Sequence, residues 1–192
     1  MSDLIRLSVE LRSEVSGNTV IGHASVFNQL ARIGQTYERM APTAFDAVLA
    51  SEDTDARALI NHDANQVLGR QSAGTLRLRT DEEGLVFEVD LPNTTYANDL
   101  RELMARGDVT GASFGFVPGD APWTTEHGVR VRTHTSVARL ADVSVVTFPA
   151  YEGAGAQLRA IDLSRAAGES NATSNKSRLI RARHNYLTGG MK

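Results

Sequence analysis

The sequence predicts a mainly β protein with some helix (α+β), built as an antiparallel β-barrel with helices packed outside it. Many short segments alternate apolar and polar residues, which is typical of strands that bury one face. Only two segments of the body carry helix signals, and strands and helices do not alternate strictly. A series of short strands without regular helical crossovers favours a barrel over a parallel α/β sheet.

The chain begins with two predicted strands. Apolar and polar residues alternate over residues 5–11, and a second strand is expected over residues 19–27, after a turn at residues 17–18. These two strands are expected to form a hairpin. A loop through Gly34 then leads to a short strand near residues 37–40.

Two helices are predicted in the body. The first begins near Thr43, its predicted N-cap, and presents an apolar stripe to the core. The second is capped by Asn93 or Thr94 and runs to about Arg106, and Gly107 follows where a glycine commonly ends a helix. The other segments are predicted strands, at residues 56–60, 67–70, 75–79, 85–91, 109–117, 129–135 and 140–147.

Composition limits the function. The 192 residues include no cysteine, which excludes a disulfide framework, a thiolate nucleophile and a cysteine-ligated metal. No apolar run approaches the roughly 20 residues that span a bilayer, and the N-terminus lacks the features of a signal peptide. A cytoplasmic origin without a membrane partner is therefore expected.

Charge divides the chain into two parts. Residues 162–192 carry six Lys/Arg and two acids, which leaves a net charge of −7 on residues 1–161, the predicted barrel domain. An acidic body argues against nucleic-acid binding. The Ser-, Asn- and Gly-rich start of the second part predicts a flexible basic tail, with the pattern of a short amphipathic helix over residues 177–187. Such a tail favours an interaction arm.

Ser113 is the predicted nucleophile. It lies between Gly111 and Gly115 in an apolar strand, and glycines beside a serine indicate close approach of another group. The segment also matches the G-x-S-x-G motif of α/β-hydrolases, but that motif needs a strand, a tight turn and a helix. A strand that ends in proline is expected here instead. An acyl hydrolase (esterase) of that class is the alternative enzyme.

A serine nucleophile needs a base. The chain has five histidines: His23, His62, His127, His134 and His184. His62 is favoured because it follows an apolar strand, and scaffolds often present reactive groups where strands end. His134 is expected on the solvent face of its strand.

Asp142 is the predicted orienting group. It lies in an apolar segment, where a carboxylate is costly unless it is paired, and strand alternation puts it on the same side as Ser144. The alternative is an exposed acid on an edge strand. The sequence lacks an HExxH motif and paired histidine spacing, so neither a metal nor a cofactor is predicted.

Seven motifs occur in order between about residues 20 and 155: GHASVFN, YERMAPTAF, LINHD, LGR, DEEGL, RGDVTGASFGF and LADVSVVTFPAY. The series resembles the tailed-phage prohead serine proteases, which are similar in fold and chemistry to the herpesvirus assemblin. The resemblance implies an assemblin-like barrel with His62 as general base and Ser113 as nucleophile. It implies Asp142 as third member, with His134 as the alternative, since assemblin-like enzymes use a second histidine.

The resemblance also implies a function. The expected activity is a serine endopeptidase of head maturation, which cleaves the scaffold, the N-terminal segment of the major capsid protein, or both, and also itself. Its place would be the host bacterial cytoplasm, inside the immature head; a homo-oligomer is left open. A catalytically silent capsid-assembly barrel is the non-enzymatic alternative, and it would leave Ser113 and His62 apart. A protease needs the two side chains within about 4 Å, and we expect them on adjacent strands.

Overall fold

The structure is a computed structural model that describes residues 4–10, 14–16, 18–33 and 36–148. The predicted tail, residues 162–192, lies outside the described residues, and so does its boundary with the barrel domain. No helix in the described ranges is long and apolar enough to cross a membrane.

The described part of the chain is mainly β, as the alternating pattern predicts. Its strands are β1 Ile5–Glu10, β2 Glu14–Ser16, β3 Thr19–Val26, β4 Ala31–Ile33, β5 Thr36–Met40, β6 Arg57–Ile60, β7 Asp63–Arg70, β8 Leu76–Thr80, β9 Gly84–Asp90, β10 Gly111–Pro118, β11 Trp123–Glu126, β12 Val129–His134 and β13 Val137–Val146. The helices are α1 Asp46–Ala50 and α2 Thr95–Arg106.

The strands pair into three sheets. The largest has the order β1-β10-β13-β6-β7, the second β11-β12-β5-β4 and the third β2-β3-β9-β8. Most pairs are antiparallel, as predicted, but β5 pairs with β12 and β6 with β13 in parallel, so the sheets of the described residues are mixed. Parallel neighbours need long connections, and both of these pairs join strands far apart in sequence. Among the described residues the pairings form open sheets, and closure into a barrel stays a prediction.

A row of phenylalanine rings runs through the core between the sheets. Phe27 contacts Phe45 at 6.2 Å between centroids, Phe45 contacts Phe114 edge-on at 5.6 Å, and Phe114 stacks on Phe116 at 5.0 Å. Complete burial of one such ring contributes about 1.5–3 kcal/mol. Phe114 and Phe116 belong to β10, so this packing fixes one face of the strand that carries the predicted nucleophile.

The beginning of the chain differs from the prediction. The first strand, β1, pairs with β10 rather than with β3, and β3 pairs with the short β2 instead. The strands β2, β4 and β11, which have three or four residues each, were not predicted. Helix α1 starts later than expected: Phe45 takes the N-cap position, without a side-chain cap, and Thr43 lies in the preceding turn.

The second helix agrees with its sequence signals. Thr94 holds the N-cap position, although its hydroxyl makes no capping hydrogen bond. At the other end Gly107 is left-handed (φ 81°), which glycine adopts at little cost. The N–H of Gly107 donates to Met104 O at 3.0 Å and the N–H of Asp108 to Leu103 O at 2.9 Å, which satisfies carbonyls that the helix end leaves free. This end leads directly into β10.

Candidate active site

Strand β10 places Ser113 inside the largest sheet. Its neighbours across the ladder are Ser8 on β1 and Ser144 on β13, and Ser113 itself is fully buried. Side chains alternate along a strand, so Ser113 points away from the face on which Phe114 and Phe116 enter the core. The serine therefore has a rigid backbone and a side chain on the opposite face of the sheet.

His62 comes from the tight turn between β6 and β7. Ile60 and Asp63 pair across the turn, and the two residues between them, Asn61 and His62, have φ values of 50° and 58°. Two left-handed central residues are the mark of a type I′ hairpin turn. The prediction that His62 and Ser113 lie on adjacent strands is wrong, because β13 separates β6 from β10 and His62 lies beyond the end of β6.

The His62 ring nevertheless reaches Ser113. Its Nε2 atom lies 2.8 Å from Ser113 Oγ, and its Nδ1 atom lies 2.5 Å from Asp142 Oδ1. With the ring proton on Nδ1, that N–H donates to the carboxylate and leaves the Nε2 lone pair to accept the serine proton. The predicted proximity of the serine and the histidine is thus observed, and Asp142 joins them.

Asp142 is buried, and it is not on an edge strand. Strand β13 is the middle strand of the five, and Asp142 is 6% exposed. The Ser144 hydroxyl donates to Asp142 Oδ1 at 2.7 Å and also lies 3.2 Å from His62 Nδ1. The predicted common side of Asp142 and Ser144 is confirmed. The carboxylate therefore has two donors, which a buried charge requires.

Gly115 makes room for this carboxylate. It is the ladder partner of Asp142, and a Cβ atom at Gly115 would collide with Asp142 Oδ2. The glycines around Ser113 had indicated the close approach of a backbone or a ligand. At Gly115 the approaching group is a side chain of the same site.

The Ser113 hydroxyl has a second acceptor. It lies 2.9 Å from the Leu7 carbonyl of β1, in donor geometry. A hydroxyl has one proton, so it bonds to either the Leu7 carbonyl or His62 Nε2 at a given moment. Rotation about the Cβ–Oγ bond moves the proton from the Leu7 carbonyl to His62 Nε2.

The other described histidines lie outside this cluster. His134 is fully buried, which corrects the prediction of a solvent-facing position, because its ring packs between Phe116 and the buried Glu38 of β5. Its Nε2 atom bonds to Glu38 Oε2 at 2.6 Å, and its ring meets Phe116 edge-on. His23 pairs with Asp81. The alternative third member thus belongs to a separate buried hydrogen-bonded pair.

The arrangement is able to support nucleophilic catalysis. A serine, an imidazole and a carboxylate stand in the order that acyl-transfer enzymes use. Within residues 4–10, 14–16, 18–33 and 36–148, no group of three or more His, Asp or Glu side chains is placed to hold a metal ion. Sequence reasoning found the three residues, but it missed the spacing role of Gly115 and the contact of the Leu7 carbonyl.

The sequence is similar to known proteins. A curated relative, the prohead protease of Enterobacteria phage HK97, is 32% identical over 144 residues, which make up 73% of this chain and 60% of that protein. The chain therefore spans about three fifths of the relative's length. No solved structure matches it significantly. The caudovirus prohead serine proteases, as a family, match residues 7–167. Because that match covers most of the sequence, the chain belongs to the caudovirus prohead serine protease family.

Proposed function

We propose that the protein is a serine endopeptidase of phage head maturation, with Ser113 as nucleophile, His62 as general base and Asp142 as the orienting acid. The single observation that carries the proposal is that one imidazole bonds to both other residues, at 2.8 Å and 2.5 Å. Membership of the prohead protease family supports the type of reaction and its setting.

The reaction follows from the geometry. Ser113 Oγ attacks the carbonyl carbon of the scissile peptide bond while His62 Nε2 takes the hydroxyl proton. Asp142 accepts the Nδ1 hydrogen bond, fixes the tautomer and stabilises the imidazolium that forms. The C–N bond then breaks, and His62 returns the proton to the leaving amine. Water, deprotonated by the same nitrogen, hydrolyses the ester at Ser113 and restores the hydroxyl.

The proposed substrates are the proteins of the immature head. We propose that the enzyme cleaves the scaffold, the N-terminal segment of the major capsid protein, or both, and also itself; the relative's name, prohead protease, supports proteolysis in the immature head. Its place of action is inside the immature head. The three sheets would be parts of one assemblin-like barrel formed by residues 1–161, and the basic residues 162–192 would dock on scaffold or capsid protein.

Two observations weigh against the alternatives. Strand β10 continues past Ser113 to Pro118, whereas the elbow of an α/β-hydrolase leads into a helix. A silent assembly barrel gives no reason for a buried carboxylate, an imidazole and a serine to be joined by short hydrogen bonds.

Co-expression with the major capsid protein of the same phage tests the proposal. Mass spectrometry of the assembled particles should show a capsid protein shortened at its N-terminus, and the Ser113→Ala variant should leave it full-length. Full-length capsid protein with the active enzyme, or equal shortening with both enzymes, would contradict the proposal.

A further inference from the structure

The turn that carries His62 is conformationally costly. In a two-residue type I′ turn the second central position is usually glycine, because φ is positive there, yet this turn places a histidine at φ 58°. A side chain with a Cβ atom in this region costs free energy, and such cost is tolerated where neighbouring groups enforce it. Some contact must therefore hold this turn.

Asn61 makes that contact. Its backbone N–H donates to Val145 O at 2.9 Å. Its side-chain Oδ1 accepts from the Thr147 N–H at 2.9 Å, and its Nδ2 donates to Thr147 Oγ1 at 3.2 Å. The backbone bond reaches Val145, which forms the last ladder pair of β13 with Ile60 of β6, and both side-chain bonds reach Thr147, the residue after the end of β13.

The partner strand is the one that carries the acid. Asp142 and Ser144 lie on β13, and both contact His62 Nδ1. Tying the turn to this strand fixes the distance between the imidazole and its carboxylate. The hydrogen bonds of its two ring nitrogens fix the His62 imidazole, and the hydrogen bonds of Asn61 fix the backbone of the turn.

We infer that Asn61 is a positioning residue for His62, acting through the end of β13. Its side chain has no contact with Ser113 or Asp142 among its hydrogen bonds. The inference rests on the proposed function, since it concerns the rate at which His62 activates Ser113.

The test distinguishes the effect of the Asn61 side-chain amide from the effect of the turn conformation. Asn61→Gly keeps the positive φ at no steric cost and removes both side-chain bonds. We expect the inactivation rate constant kinact with a fluorophosphonate probe to fall about 10- to 100-fold, because small displacements of a catalytic group have effects of this size. The probe's KI should not change, since Asn61 does not line the serine. The Nδ1 proton resonance of His62, assigned by its loss in His62→Gln, should broaden.

Matched variants complete the test. Asn28 also has a left-handed backbone (φ 58°) but lies in a different turn, so Asn28→Gly should leave kinact unchanged. If Asn61→Gly fails to fold, Thr147→Val and Thr147→Ser replace it in the test. Thr147→Val removes the hydroxyl that accepts from Asn61 and should lower kinact, whereas Thr147→Ser keeps a hydroxyl and should have the wild-type kinact.

The outcomes distinguish the two proposals. If the wild-type protein and Ser113→Ala react alike with the probe, the proposed function is wrong. The positioning role is tested only when the wild type reacts at Ser113. If Asn61→Gly or Thr147→Val then has the wild-type kinact and the wild-type His62 resonance, the positioning role is wrong.

Discussion

Gly115 and Asp142 face each other across β10 and β13, and the Asp142 carboxylate occupies the space where a side chain at Gly115 would begin. The pair explains why the residue two positions after the serine is a glycine. A serine alone imposes no such limit. The limit arises because the Asp142 carboxylate reaches from the neighbouring strand into the space beside Gly115.

Replacing Gly115 should therefore impair the site through Asp142. We expect Gly115→Ala to lower kinact for a fluorophosphonate probe by roughly 100-fold, since the new methyl group displaces the carboxylate from His62. Gly119→Ala is the matched control: its Cβ would meet Ser136 Oγ, a clash of the same kind in a loop away from the site. If Gly115→Ala and Gly119→Ala lowered kinact equally, the loss would come from a general packing defect and not from displacement of Asp142.

Ser113→Ala and His62→Ala should each abolish cleavage, with losses on the order of 10⁶-fold, because members of such a unit act together. Circular dichroism and thermal unfolding should remain close to wild type. Ser8→Ala is the control, since Ser8 is the ladder partner of Ser113 on β1 and has a buried hydroxyl of the same size. Cleavage by Ser113→Ala at the wild-type rate would exclude it as the nucleophile.

Asp142→Asn should reduce the rate of cleavage by about 10⁴-fold, because an amide at this position favours the wrong tautomer of His62. The substrate KM should change little. Measuring kcat and KM separately on the capsid protein tests this point. An unchanged kcat would remove Asp142 from the mechanism.

His134→Gln should lower stability and leave the chemistry intact. His134 Nε2 and Glu38 Oε2 form a buried hydrogen bond of 2.6 Å, and leaving one partner of such a bond unsatisfied costs about 1–3 kcal/mol. Thermal unfolding should show the loss, while kinact measured well below the new melting temperature stays at the wild-type value. A fall in kinact without a fall in stability would instead give His134 a part in catalysis.

The ion pairs on β8 and β9 predict a dependence of stability on pH. Hydrogen bonds from Arg77 lower the pKa of Asp90 to about 2, below the ordinary value of about 3.9. A depressed folded-state pKa means that the stabilising contribution is complete above about pH 4 and is lost as pH falls through about 2.

Melting temperatures of wild type and Arg77→Gln should thus differ slightly near neutral pH and converge between about pH 4 and pH 2. Both side chains are exposed, so added salt should also reduce the difference. Arg79→Gln is the control, because its contact with Asp81 is 3.9 Å long and should matter less. A difference that persists below pH 2 would mean that Arg77 acts through packing.

The sequence was most informative where the signals are local. The cap and the glycine of α2 follow from neighbouring residues, whereas the apolar neighbours of Asp142 left open whether it is buried or exposed on an edge strand. The pairing of β1 with β10 and the parallel pairs did not follow, because they join residues far apart in the chain, and alternation shows only that a strand has a buried face. His134 was misplaced for the same reason: its partner Glu38 lies on another strand.

The order of strands in the largest sheet bears on how the protein folds. Its middle strand, β13, is the last described strand in the chain, and both β10 and β6 pair with it. Until β13 is in place, these two strands each expose an unpaired edge, which is a hazard for aggregation. The pairing of β6 with β13 is slow to form, because the long segment between these two strands must close into a loop before their contacts compensate for the entropy lost. Asp142 arrives on the same strand that completes the sheet, so under the proposed function a half-folded chain would lack the carboxylate that orients His62.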